Sequence, residues 1–262
     1  MYPMKIDFKA RRNANKRGFC VKKPRFVVAM VVVLSFICVQ SVPAQKILIE
    51  TGFEDHVQPN AESPFQPSTK TVKNGEKSLE IFSEVEHELH ISGHPLETNE
   101  SIVSFEFWVY IERGEQSFAV SMHAADKSFD NNAGGPYIEW YDGDIRYHVH
   151  QGDPWREIVP YPVNKWHYVR IVANFREDVF DFYTGRDRDA ALASRLKRNL
   201  EFQDPATAPR PKWFLIFAWA MDARGYMDDL LIYEGDEPIS LAVEPTTKLT
   251  TLWGRLKKER NK

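Results

Sequence analysis

The chain has 262 residues, 43% hydrophobic, 13% aromatic and 27% charged, with a formal net charge of −3. That composition excludes a disordered chain, a collagen and a multi-span membrane protein. The charge is unevenly placed. Residues 1–44 hold nine Lys and Arg against one acid, and residues 45–262 hold 25 against 36. The acidic body has no surplus of cations to neutralise phosphates, which argues against a nucleic-acid partner.

The basic leader precedes an apolar run from Phe26 to Val39. This run is shorter than the roughly 20 residues that cross a bilayer. It ends in Val42-Pro43-Ala44, with small residues at the two positions a signal peptidase reads. The pattern predicts a secretory signal over residues 1–44, cleaved after Ala44. The product would be secreted, periplasmic or extracellular, with no membrane span after cleavage; an uncleaved signal anchor is the alternative. Ile37 before Cys38 fits a lipoprotein signal poorly. Both cysteines, Cys20 and Cys38, lie in the leader, so the body is expected to have neither disulfide nor thiol chemistry.

From residue 45 the chain reads as one all-β domain, over residues 45–236. Runs rich in Val, Ile, Phe, Tyr and Trp alternate with turn clusters. The predicted strands are Lys46–Glu50, Ser78–Phe82, Glu88–Ile91, Ile102–Ile111, Ser117–His123 and Tyr137–Tyr141. They continue with Ile145–His150, Trp166–Phe175, Val179–Thr184, Trp213–Ala220 and Tyr226–Tyr233. So many strands are best buried as two packed antiparallel sheets. In Ile102–Ile111 the alternation puts Val103, Phe105, Phe107, Val109 and Ile111 on a core face, with Ser104, Glu106, Trp108 and Tyr110 opposite. Asp142-Gly143-Asp144 predicts a tight hairpin, and Arg176-Glu177-Asp178 a second. Leu192, Leu196 and Leu200 at helical spacing predict a short surface helix near residues 189–200. Residues 237–262 read as a linker and a basic amphipathic C-terminal helix carrying Leu252 and Trp253.

Three segments carry a resemblance. The first is Glu50-Thr51-Gly52-Phe53-Glu54-Asp55 with Asn74-Gly75-Glu76-Lys77-Ser78-Leu79. The second is Asn164-Lys165-Trp166-His167-Tyr168-Val169-Arg170-Ile171 running into Phe180–Gly185. The third is Tyr226-Met227-Asp228-Asp229-Leu230-Leu231-Ile232-Tyr233. Together they resemble the concanavalin A-like lectin/glucanase superfamily, especially laminin G-like jelly rolls, and are similar to jelly-roll carbohydrate-binding modules. The resemblance covers residues 46–235. It implies a two-sheet antiparallel jelly-roll sandwich and an extracellular polysaccharide or glycan as partner. In the resembling binding modules the first-strand region and the final-strand acids hold a structural Ca²⁺. Carried over, this implies Glu54 with Asp228 or Asp229 as ligands. Adjacent Asp on a strand face opposite ways, so one of that pair would bind.

The fold hosts lectins, hydrolases, lyases and structural modules, so function rests on residues. Glucanase chemistry needs paired carboxylates on one strand face, and no such run occurs. A lyase needs a base beside a group that neutralises a uronate. Arg146, His148 and His150 share one strand parity, with Glu139 and Tyr141 on the preceding strand and His123 nearby. The signatures of lyase families are absent. Zinc on His123, His148 and His150 is a further option that requires tetrahedral closure. The leading expectation is non-catalytic glycan binding on one wet face by Glu106, Trp108, Tyr110, His123, Glu139, Tyr141, Arg146, His148 and His150, with Trp155 from a rim loop. Sugars present C–H faces that aromatic rings cover and hydroxyls that acids and Arg bond. Trp166, Trp213 and Trp219 are assigned to the core. An adhesion domain with a protein partner is the second alternative, and the oligomeric state is left open.

Overall fold

The computed structural model describes residues 45–54, 65–83, 90–112, 118–124, 134–149, 153–218 and 224–239. Fourteen strands and one short helix occupy them. The strands are β1 (Ile47–Thr51), β2 (Gln66–Ser68), β3 (Ser78–Phe82), β4 (His90–Pro95), β5 (Ile102–Ile111), β6 (Phe118–His123) and β7 (Tyr137–Tyr141). Then come β8 (Asp144–Tyr147), β9 (Arg156–Pro160), β10 (His167–Asn174), β11 (Val179–Gly185), β12 (Lys197–Glu201), β13 (Trp213–Ala218) and β14 (Arg224–Glu234). The helix, α1 (Arg188–Ala193), lies between β11 and β12.

The strands form two antiparallel sheets. The eight-stranded sheet runs β12-β11-β10-β5-β14-β3-β2, with β1 also on β14, and the six-stranded sheet runs β4-β13-β6-β7-β8-β9. This is the jelly-roll sandwich that the resemblance implied. One edge of β14 carries β5. The other is shared, with β3 on Arg224–Met227 and β1 on Leu230–Tyr233.

Side-chain alternation builds the core. Val103, Phe105, Phe107, Val109 and Ile111 of β5 are all buried. They meet Phe214 and Trp140 from the six-stranded sheet edge-on, with ring centroids 5.4 and 6.0 Å from Phe105 and Phe107 respectively. Such aromatic pairs add to the area-driven burial that holds two sheets together. The tryptophan at the centre is Trp140, whose Nε1 donates to His167 Nε2 at 3.1 Å. Trp166 and Trp213, assigned to the core from sequence, are only half-buried on outer faces; Trp219 lies outside the described residues.

Both predicted hairpins form. Asp142 and Gly143 have φ of 50° and 87°, the two positive values a type I′ turn needs, and Tyr141 pairs with Asp144. In the β10–β11 turn Asn174 Oδ1 accepts from the N–H of Arg176 and Glu177. The predicted helix is shorter than its leucines suggested. Asp187 caps it by accepting from Ala190 N at 2.8 Å, and it ends at Ala193. Leu196 lies in the connection and Leu200 in β12, which pairs with β11. No helix among the described residues is long and apolar enough to cross a membrane. The predicted C-terminal helix and the leader lie outside the described residues.

Candidate functional site

The sequence grouped its polar residues on one wet face. The structure places them on two. β5 belongs to the eight-stranded sheet, whereas β6, β7 and β8 belong to the six-stranded sheet. The outer faces of a sandwich point in opposite directions, so Glu106, Trp108 and Tyr110 cannot share a site with Glu139, Tyr141, Arg146 and His148.

On the eight-stranded sheet the expected wet face is covered. Glu106 is 3% exposed and accepts from Arg188 Nε at 3.0 Å, with Arg170 Nε 3.3 Å away. The hydroxyls of Tyr168 and Tyr233 also donate to its two oxygens. Burial, with the Glu106 charge adding to it, pushes both phenols well above the usual range, so they stay neutral donors. Arg170 and Arg188 in turn bind the backbone oxygens of Asp236 and Ile239, strapping the segment after β14 across this face. Trp108 lies under the Lys73 ammonium, 3.9 Å from the ring centre, and Tyr110 packs on Trp166 and Tyr226 at 5.6 and 6.0 Å. Glu106, assigned to a ligand from its parity, is therefore the counter-charge of a buried cluster.

The six-stranded sheet brings five predicted residues together. β7 supplies Glu139 and Tyr141, β8 supplies Arg146, and the chain after β8 supplies His148. Glu139 pairs with Arg146 in register, and its carboxylate accepts from Arg146 Nε at 2.6 Å. Glu139 is fully buried, while the Arg146 side chain keeps 20% exposure. The guanidinium lies against two rings, 4.0 Å from the centre of Tyr141 and 4.5 Å from that of Trp155. Tyr141 is 36% exposed and Trp155 is half-buried. His148 packs on Trp155 with the rings tilted and 4.9 Å between centroids, and its Nε2 and Nδ1 lie 3.0 Å from Asp153 O and 3.3 Å from Gln203 Nε2. Trp155 also rests on Tyr137, 5.7 Å between centroids. Burial, reinforced by Glu139, raises the Tyr137 phenol well above its usual range.

Next to this cluster on the same face Ala119, Leu215 and Phe217 are buried, with Ile91 and Trp213 packed against them, and Ser121 is buried opposite Leu215. His123 is 5% exposed at the end of β6, opposite Trp213. His150 lies outside the described residues. Tyr137 and Gln203 were missed in the sequence. Tyr137 was available from parity, two residues before Glu139; Gln203 comes from a connection that carries no period.

The acids implied as calcium ligands do converge, on the turn formed by residues 73–77. Glu54 Oε1 accepts from Glu76 N at 2.7 Å. Asp228 Oδ2 accepts from the N–H of Lys73 and Asn74 at 2.9 and 3.0 Å, and Oδ1 from Asp229 N at 2.8 Å. The Asn74 side-chain amide donates to Asp229. Parity predicted that one Asp would turn away. The β14 register slips between Asp228 and Leu231, and Asp229 takes a φ of 48°, so both reach the turn. Burial and the neighbouring Asp229 charge raise Asp228 to about 6, against the pull of its N–H donors. Oxygens aimed at N–H groups do not fit a cation that needs six to eight oxygens. Among the described residues no group of three or more His, Cys, Asp or Glu could hold a metal ion. Gly75 sits in this turn at φ 73°, and a Cβ there would lie 1.7 Å from Glu54 Oε1. Gly75→Ala is expected to cost about 1–3 kcal/mol in urea denaturation. A loss below a few tenths would show that Glu54 is not held there.

No protein-family model matches the chain, and no curated protein matches it. Solved structures similar to it include a sialidase, at 10% identity and TM-score 0.49, over 62% of this chain and 16% of that one. Another is the cellulose-induced protein Cip1, at 12% and 0.49, over 70% and 96%. A third is the VIP36 exoplasmic/lumenal domain in its Ca²⁺/Man3GlcNAc-bound form, at 9% and 0.43, over 69% and 86%. The chain spans 16% of the length of that sialidase. At these identities nothing passes from their sites to this chain.

Proposed function

We propose that this chain is a secreted, non-catalytic module that binds glycan on the outer face of its six-stranded sheet. The observation that carries the reading is the Tyr141–Arg146–Trp155 arrangement. Two partly exposed rings flank one partly exposed guanidinium. Rings cover the C–H face of a sugar, and an oriented Arg donates to its hydroxyls. Glu139 behind Arg146 fixes the fork and cancels its charge, which suits a neutral sugar.

The same geometry supports a binding role over a catalytic one. Glu139 is fully buried and engaged by Arg146. Both nitrogens of His148 lie within hydrogen-bonding distance of protein atoms. Neither group is left as a free base at the surface. Secretion rests on the leader alone.

The test is affinity electrophoresis of the chain through gels cast with neutral and acidic polysaccharides, calcium present. Selective retardation by a neutral polysaccharide is expected. Tyr141→Ala and Trp155→Ala should each weaken binding about tenfold, ~1.4 kcal/mol. The exposed Tyr141 should go with little change in melting temperature, whereas Trp155→Ala also loses its packing on Tyr137 and His148 and should melt lower, so the binding readout rests on Tyr141→Ala. Uniform mobility across the panel would overturn the reading and favour an adhesion role with a protein partner.

A further inference from the structure

A cavity of about 490 Å³ opens on the opposite side of the molecule, on the outer face of the eight-stranded sheet. That volume is in the range of small-molecule sites. Arg170, Arg195, Arg198 and Tyr183 line one part of it, and Asp236 and Glu237 line another. None of these residues belongs to the face with Tyr141 and Trp155.

Of the three arginines, Arg170 is buried beneath the cavity, and Arg195 and Arg198 are exposed at its rim. Tyr183 is 4% exposed, and its ring has a guanidinium carbon of Arg170 at 5.0 Å and of Arg195 at 5.4 Å from its centre. Arg170 is 1% exposed. Its counter-charge, Glu106, is shared, because Arg188 takes the same carboxylate at 3.0 Å. Two guanidiniums on one carboxylate leave this cluster with one positive charge in excess. Arg195 is balanced by Asp181 at 3.3 Å. Arg198, exposed on β12, makes no ion pair among the described residues. The cavity therefore has a cationic side, formed by the excess charge below and Arg198 above. Asp236 and Glu237, both exposed, give it an acceptor side.

A simple anion would satisfy only the cationic side. A sugar bearing a carboxylate satisfies both: the carboxylate takes the planar fork of Arg198, and ring hydroxyls donate to Asp236 and Glu237. We propose that this cavity is a second binding site, specific for a carboxylate-bearing sugar such as a uronic acid unit. It is independent of the neutral-sugar face, and a polysaccharide with both kinds of unit would engage the two sides of the sandwich.

The test is isothermal titration of the full chain with trigalacturonate, with galactotriose as the uncharged counterpart and sulfate as competitor. Trigalacturonate should bind and galactotriose should bind at least tenfold more weakly at this site. Arg198→Ala should weaken trigalacturonate at least tenfold, and Arg198→Lys should recover part of it by restoring charge without the fork. Both variants should melt at the wild-type temperature, since Arg198 is exposed. Glu237→Gln should weaken the sugar about threefold and leave sulfate unaffected. Tyr141→Ala should change trigalacturonate binding less than twofold, which separates failure of this site from failure of the other face. Absence of trigalacturonate binding, or equal weakening by Tyr141→Ala, would overturn the proposal. Sulfate displacing the sugar at equal concentration would overturn the sugar specificity and leave a plain anion site.

Discussion

Glu106→Ala is expected to remove about 3–5 kcal/mol of folding stability, more than any surface substitution in this chain. The carboxylate is 3% exposed and has four protein donors around it. Without it the guanidinium of Arg170, 1% exposed, and that of Arg188, mostly buried at the start of α1, lose the carboxylate they share. Breaking a buried pair costs far more than the pair contributes, because the remaining charge stays desolvated. A typical domain has only about 5–15 kcal/mol in hand, so the variant would be near its threshold. Glu106→Gln separates charge from shape: it keeps the volume and one acceptor but not the anion. Adding Arg170→Met to Glu106→Gln should restore part of the loss, as a coupled pair does in a double-mutant cycle. The readout is the urea midpoint at constant slope. A loss under 1 kcal/mol for Glu106→Ala would show that the cluster is not a clamp. Because Arg170 and Arg188 also hold Asp236 and Ile239 by their backbone oxygens, limited proteolysis should cut after β14 sooner in the variant.

That cluster also marks where sequence reading stops. Period two placed Glu106, Trp108 and Tyr110 on the face opposite Phe105 and Phe107, and the structure agrees. Parity cannot say what lies on that face. α1 and the 235–239 segment cover it, and both come from far along the chain, beyond β11 and β14 respectively. Parity also cannot assign a strand to a sheet. β5 and β7 are close in sequence but lie in different layers, so residues that looked like one patch became two. Within β7 and β8, where the hairpin fixes the partner, Glu139, Tyr141 and Arg146 were placed together correctly. The strands missed in the sequence are β2, β9 and β12, and each lies at a sheet edge. Their sequences, Gln66-Pro67-Ser68, Arg156-Glu157-Ile158-Val159-Pro160 and Lys197-Arg198-Asn199-Leu200-Glu201, carry the Pro and charges that keep edges from pairing with other chains. The devices that protect an edge also erase the strand signal. At Asp228-Asp229 a bulge breaks the alternation itself, and a left-handed residue in mid-strand leaves no trace in hydrophobic period.

Acidification from pH 7 to 4 is expected to destabilise the fold, with two histidines driving the loss and one aspartate opposing it. Burial holds His94 at about 4 and His167 at about 4. An unfolded His titrates near 6.5, so between about 6.5 and 4 the unfolded chain takes protons that the fold refuses. Each contributes a loss of about 3 kcal/mol across that window. Asp228 has the opposite sign. Its folded value of about 6 lies above its ordinary 3.8. The fold therefore takes up this proton first as pH falls below 6, which recovers about 2 kcal/mol by pH 4. The net loss is somewhat more than the contribution of one histidine. Variants separate the three. His94 Nε2 has no hydrogen-bond partner among the described residues, and its ring packs 6.3 Å from Phe214. His94→Leu should therefore leave stability at pH 7 unchanged or raised, and flatten the pH 7-to-4 decline. His167 accepts from Trp140, so His167→Leu should flatten the decline by the same amount but cost about 1–3 kcal/mol at pH 7, because it leaves the indole N–H buried without a partner. Asp228→Asn should steepen the decline by removing the opposing proton uptake. Urea unfolding at pH 7, 6, 5 and 4 reads all three. A decline in His94→Leu as steep as in the parent chain would show that the folded protein takes up the His94 proton as readily as the unfolded chain does, and the assignment of acid sensitivity to it would fail.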